Sequence, residues 1–207
     1  MAILKPELKS KYQKFEGGYQ CYPEDSANYN TRHELVGTNM GVGALTYEDH
    51  LGRAVTKEDM QNMPKDVPGK IMQKYWDIVQ GDLLHSQAVA EFLLDWFWAS
   101  GYTGIRWFQG VLKIRLQIPI KQDYKFETWE AEEVNAYQPQ SEVFAVLKDE
   151  RIKYTDYIIK SSIARYLYKC REKQYRPTAR DIYNNTLQKF ETGWKTRINS
   201  YSYENYS

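Results

Sequence analysis

Ser86-Gln87-Ala88-Val89-Ala90-Glu91-Phe92-Leu93-Leu94-Asp95-Trp96-Phe97-Trp98-Ala99-Ser100 is the stretch that decides the fold. Val89, Phe92, Leu93, Trp96 and Phe97 recur at steps of three and four, the spacing that places side chains on one face of a helix. Ser86 is a favourable N-cap, and Gly101 and Gly104 supply stop signals at the other end. A helix this apolar belongs at the buried centre of the molecule.

Helical patterns continue on both sides of that centre. Toward the C-terminus a helix is expected from about Ile105 to Leu116, whereas Gln117 to Phe126 lacks a helical period and reads as a connection. Thr128 to Tyr137 and Ser141 to Gln174 follow as helices, and Pro177-Thr178 is placed to open a last one toward Ile198. Toward the N-terminus, Thr56 with Asp59 has the pattern of a capping box. Pro68 then opens a helix carrying Ile71, Met72, Tyr75, Trp76 and Val79. Tyr19 to Leu51 is rich in turn formers and reads as loop, with room for a small β-hairpin near residues 36–47. Leu4, Leu8, Tyr12 and Phe15 form the stripe of a first helix that Gly17-Gly18 would stop. The expectation is an all-α fold in two parts, 1–118 and 119–207.

Composition narrows the function classes. Hydrophobic residues make up 42% and aromatics 15%, with 18 Tyr and 6 Trp, which is a packed globular chain and not a disordered one. Aromatic rings also stack on the apolar faces of sugars. With 28 basic and 27 acidic residues, the net charge of +1 gives no global field to attract nucleic acid or an anionic membrane. No apolar run approaches the ~18–20 residues of a membrane span, and residues 1–10 have no signal-peptide core, so synthesis in the cytoplasm is expected. Cys21 and Cys170 lie far apart with neither zinc-ligand nor disulfide-framework spacing. His33, His50 and His85 are isolated, and Glu24-Asp25 and Asp49-His50 lack metal-ligand spacing, so no metal and no cofactor are expected.

The residues that carry chemistry are carboxylates. Glycoside hydrolysis needs an acid to protonate the leaving oxygen and, with inversion, a carboxylate to activate water from the opposite face. Glu16 is the best candidate acid, because the negative end of the expected helix and nearby aromatic surface both disfavour its ionised form. Asp25, in a polar loop, is the candidate base, and the Thr38 hydroxyl could orient the water. On spacing alone a Glu placed like Glu16 is far more often a solvated helix-end residue than an acid, and turn-forming or capping is the commoner job for an Asp placed like Asp25. Tyr19, Tyr22, Tyr47, Trp98 and Tyr102 are candidates to line a sugar cleft, while Trp96 and Phe97 belong to the core.

Several motifs carry a family resemblance. Phe15-Glu16-Gly17-Gly18-Tyr19, then Pro23-Glu24-Asp25, then Gly37-Thr38-Asn39-Met40-Gly41-Val42 resemble the opening of the glycoside hydrolase family 108 muramidases. Tyr75-Trp76-Asp77, Gly81-Asp82 and the segment Asp95 to Leu112, with Gly101 and Gln109, are similar to the rest of that family's catalytic domain. Phe190 to Ile198 resembles the end of the C-terminal domain, described as peptidoglycan-binding, that commonly follows it. The chain departs from the pattern in having Ser26-Ala27-Asn28 where the family usually shows Pro-Gly-Gly. Residues Asn28 to Val36 look like an insertion, and the Asp-Gly and Gly-Pro pattern expected between residues 117 and 128 is absent.

The resemblance implies a lysozyme-like catalytic domain over 1–118 and a helical wall-binding domain over 119–207. It implies hydrolysis of the β-1,4 bond between N-acetylmuramic acid and N-acetylglucosamine in peptidoglycan strands, with Glu16 as the catalytic residue. Asp25 and Thr38 fall in the order of the Glu, Asp, Thr series of phage-type lysozymes, which are inverting. Two alternatives stay open: a lytic transglycosylase using the same glutamate, and a non-catalytic wall-binding or secretion-assisting protein. Action on the wall would follow lysis or export.

Overall fold

The computed structural model describes residues 1–6, 8 and 17–206. Among them are eight α-helices, short 3-10 turns and three isolated β-bridges, with no extended strand. The all-α expectation holds. The first helix expected over Leu4 to Phe15 falls mostly outside the described residues.

The chain forms two compact units, and each takes segments from separated parts of the sequence. One comprises Met1–Pro6, Met72–Asp156 and Trp194–Ser207; the other comprises Glu7–Ile71 and Tyr157–Gly193. This interleaved division differs from the expected split at residue 118. Gln117 to Phe126 is indeed irregular, but its Ile118, Ile120 and Phe126 are buried, so it belongs to a core and not to a linker.

In the loop-rich unit, the segment read as room for a hairpin is corrected. Only single bridges form there, Gln20 with Thr38 and Asn39 with Val42, and the chain turns helical at α1 (Ala44–Leu51). Ala44, Tyr47 and Glu48 share its inner face at helical spacing, and that face wins over strand pairing. Glu48 is buried yet satisfied, accepting from Val55 N at 3.0 Å, Thr31 N at 3.1 Å and Thr31 Oγ1 at 3.2 Å. α2 (Lys57–Gln61) starts with the expected reciprocal box between Thr56 and Asp59. α3 (Val67–Ile78) carries Pro68 in its first turn, where a missing N–H costs nothing.

The helical unit is built on α4 (Gln87–Arg115), capped by Ser86, whose hydroxyl accepts from Val89 N. Two helices were expected here, and α4 consists of two helical segments that meet at a kink at Gly101. Gly101 adopts φ 56°, ψ −151°, a conformation essentially restricted to glycine, while Gly104 continues the helix. Phe92, Leu93, Trp96 and Phe97 are fully buried, as their spacing indicates. Gln109 and Glu130 stitch the irregular connection to α5 (Thr128–Ala136): Gln109 donates to Lys125 O and accepts from Asp123 N, and Glu130 accepts from Lys121 N at 2.9 Å. Burial, only partly offset by these hydrogen bonds, pushes the Glu130 carboxyl above its ordinary range.

α6 (Gln140–Glu172) is the longest helix and ends in the loop-rich unit. The single helix expected from Pro177 to Ile198 is instead α7 (Ala179–Asn184), a 3-10 turn (Leu187–Phe190) and α8 (Glu191–Asn199). Asn184-Asn185-Thr186 breaks it, because the buried Thr186 spends its hydroxyl capping Gln188 N and so starts a new turn.

Candidate active site

Glu16, the expected acid, lies outside the described residues. The structure describes the loop that follows it, from Gly17 onward, and that loop is organised by Gln20. Its main chain pairs with Thr38 in both directions at 2.8 Å. Its side chain donates to Asp25 Oδ2 at 3.2 Å and to Asn28 Oδ1 at 3.0 Å, and accepts from Asn28 Nδ2 at 2.8 Å and from Tyr22 N at 3.1 Å. One residue therefore links the candidate base to the candidate water-positioning threonine.

Asp25 is anchored through both oxygens. Oδ1 accepts from Ala27 N at 3.0 Å, capping a 3-10 turn over Ser26–Asn28, and Oδ2 receives Gln20. The capping role weighed for Asp25 is thus real, and it fixes the carboxylate in a half-exposed position. Each oxygen keeps a second lone pair, so the anchored group can still accept a proton or a water hydrogen. Thr38 differs in kind: its Oγ1 is buried and has no hydrogen-bond partner among the described residues. A hydroxyl in that state costs stability unless something hydrogen-bonds to it.

Gly37 lets these pieces close up. At φ +97° it occupies backbone space that side chains avoid, and a Cβ there would sit 2.6 Å from Gln20 O and 2.6 Å from the Tyr19 ring. Tyr19 lies against it and donates its hydroxyl to Val36 O at 3.0 Å. Burial first, then its interactions with Cys21, push the Tyr19 phenol up to about 12.

The segment Asn28 to Val36 folds as a turn around the buried Asn30. Asn30 Oδ1 accepts from Arg32 N and Glu34 N, and Nδ2 donates to Val55 O and Glu34 Oε2. Asn28, replacing a family glycine in the resemblance, is fully buried, and its main-chain carbonyl accepts from both Val36 N and Gly37 N. Side-chain amides thus stand in for a glycine turn.

The sugar-lining candidates separate. Tyr22 is exposed on the Asp25 loop, and Tyr19 is half-buried beside Gln20. Tyr47 is corrected to a core residue: only 4% exposed, it has no ring face for a ligand. Trp98 and Tyr102 belong to the helical unit, where Trp98 packs edge-on to Tyr75 and Tyr102 is exposed. Lys189 and Phe190 escaped sequence reasoning. Phe190 meets Tyr22 edge to face at 6.0 Å, and Lys189 lies 4.0 Å over the Tyr22 ring while pairing with Glu24. No local signal marks them, because the contacts span more than 160 residues of sequence. Gln20 and Asn28 were missed for another reason, being polar residues of a loop with no periodicity to betray them.

Among the described residues no group of three or more His, Cys, Asp or Glu could hold a metal ion, and both cysteines are free thiols. His50 stacks beside Tyr47, and His33 occupies a left-handed turn position.

Residues 10–101 match the family model described as Glycosyl hydrolase 108. The chain is also similar in fold to the solved structure of Brucella abortus SagA, at 21% identity and a TM-score of 0.65, covering 94% of this chain and 88% of that one. No curated protein matches. The family match supports a glycoside hydrolase, and it stops short of Phe190 to Ile198.

Proposed function

We propose that this chain is a lysozyme-type peptidoglycan hydrolase, an N-acetylmuramidase that cleaves the β-1,4 bond between N-acetylmuramic acid and N-acetylglucosamine. The observation that carries the proposal is the family match over residues 10–101, which includes Glu16, Asp25 and Thr38. Glu16 protonates the glycosidic oxygen. Asp25 deprotonates the attacking water, and Thr38, whose hydroxyl has no partner among the described residues, holds that water by a hydrogen bond. Gln20 keeps the base and the positioning hydroxyl in register. Tyr22 offers an exposed ring to a sugar face. The reading extends to wall binding by the C-terminal part and to action on the cell wall after release or export.

Digestion of purified sacculi tests this. Glu16→Gln should lower the rate by roughly 10²–10⁴-fold, the range expected for loss of a general acid. Asp25→Asn keeps a side-chain oxygen to cap Ala27 N but sets its amide N–H against the Gln20 Nε2 donor, so it should be nearly as inactive with a melting temperature lowered by the equivalent of about 1 kcal/mol. Wild-type rates in both variants would sink the proposal. One observation favours a second reading: both Asp25 oxygens already serve the loop, which suits a lytic transglycosylase that needs no second carboxylate. Mass spectrometry of the released muropeptides separates the two, because a transglycosylase product carries a 1,6-anhydro ring and is one water lighter.

A further inference from the structure

Residues 160–180 hold seven cations and one acid, Glu172, a local charge of +6 in a chain whose net charge is only +1. All seven cations are exposed, and none makes an ion pair among the described residues. Four of them, Lys160, Arg165, Lys169 and Arg171, lie on the last four turns of α6. Lys173, Arg176 and Arg180 follow in sequence beyond the helix end.

The arrangement around the helix axis is as telling as the count. Ile159 and Cys170 are buried, with Ile163 and Tyr166 beside them on the inner face. At 100° per residue the opposite face centres on Tyr157, Ala164 and Tyr168, with Lys160 and Arg171 along one flank and Arg165 and Lys169 along the other. Leu167 borders it. Tyr168 is 62% exposed and Leu167 40%, large apolar surface for residues with a core available to them. An aromatic and aliphatic centre flanked by long basic side chains is the pattern of a helix lying in a lipid headgroup layer: rings settle at the interface and basic stems spread over it with their charges outward.

We propose that this outer face of α6 docks on an anionic phospholipid bilayer. No described helix is long and apolar enough to cross a membrane, so the chain would lie on the surface and not span it. A nucleic acid would satisfy the cations but would leave Ala164 and Leu167 without a role, and the bilayer uses both halves of the pattern.

Co-sedimentation of the full chain with vesicles tests the proposal without any wall substrate, so its outcome is independent of the hydrolase reading. One set of vesicles is phosphatidylcholine alone, the other an equal mixture with phosphatidylglycerol. Each cation near an anionic surface contributes roughly fivefold in affinity, so Lys160→Glu, Arg165→Glu, Lys169→Glu and Arg171→Glu together should weaken binding to the mixed vesicles by more than about 100-fold. Leu167→Gln with Tyr168→Gln should weaken it several-fold at unchanged charge. Binding by wild type should fade between about 0.1 and 1 M salt, as the screening length falls from ~10 to ~3 Å. Equal binding to both kinds of vesicle, no binding to either at low salt, or capture by duplex nucleic acid with no affinity for vesicles would each overturn the proposal. Circular dichroism checks that the charge-reversed variant folds; should it not, the lipid and salt dependence of wild type decides.

Discussion

Replacing Asp95 by Asn should be among the most damaging single-atom-scale changes in the helical unit. Asp95 is 0% exposed at the centre of α4. It pairs with Arg151, accepts from Arg197 Nε at 2.7 Å and from Tyr201 OH at 3.0 Å, and its main-chain carbonyl accepts from Arg151 NH2. Burial works to raise its pKa, but the two guanidiniums outweigh it and bring the group from 3.8 to about 2. A lowered folded-state pKa stabilises the protein above the unfolded value and is lost as pH falls from ~4 toward ~2, a contribution on the order of 2 kcal/mol. The amide removes the charge at every pH and strands two buried guanidiniums, for which about 3–5 kcal/mol is the expected cost. For a chain of this length that is a fall in Tm of roughly 6–20 °C at pH 7 by scanning calorimetry. The variant should also lose its share of the acid sensitivity between pH 4 and 2. Adding Arg151→Met and Arg197→Met to an Asp95→Leu background should recover most of the loss, since an apolar cluster of similar volume replaces a buried ion cluster at little cost. An Asp95→Asn protein melting within about 3 °C of wild type would refute the reasoning.

Three more outcomes follow from the loop-rich unit. Thr38→Val removes a buried hydroxyl that has no partner among the described residues, so thermal melts should show no loss and a gain of up to about 1 kcal/mol, while the rate on sacculi falls. Gly37→Ala should cost about 1–3 kcal/mol from the positive φ alone, and the clash with Gln20 O should displace the Gln20–Thr38 pair, read as lower Tm and lost lysis together. Lys189→Met should lower kcat on sacculi several-fold with a Tm change of only about 1 kcal/mol equivalent, because it releases Glu24 and Tyr22 next to Asp25.

Periodicity made the helices legible: the α4 core, the Ser86 cap, the Thr56–Asp59 box and the long α6 all follow from spacing and capping chemistry. It misled where cap residues interrupt an amphipathic run, as at Thr186, whereas the stop read at Gly101 coincides with the break between the two segments of α4. The family-like motifs of the middle region acquire structural meanings. Trp76 donates its indole N–H to Asp82 at 2.8 Å, and Gly81 packs so closely on that indole that a Cβ would overlap it. Asp95 and Gln109 neutralise and stitch a core. The candidate site was legible only as residue types in order. That Gln20 ties Asp25 to Thr38 depends on a β-bridge across eighteen positions and on amide rotamers, neither of which leaves a pattern in sequence.

The chain passes from one compact unit to the other at residues 6–7, 71–72, 156–157 and 193–194. Neither unit is therefore a heritable module that a single recombination breakpoint could move, and a cut after residue 118 would divide both. Asn28 to Val36 is itself tied into the loop-rich unit, with Asn30 donating to Val55 O and Thr31 to Glu48, so this turn would change only together with those partners. Swapping specificity between relatives would accordingly proceed loop by loop within an intact chain, with the residues around Lys189 exchanged together with the Tyr22 loop they hold.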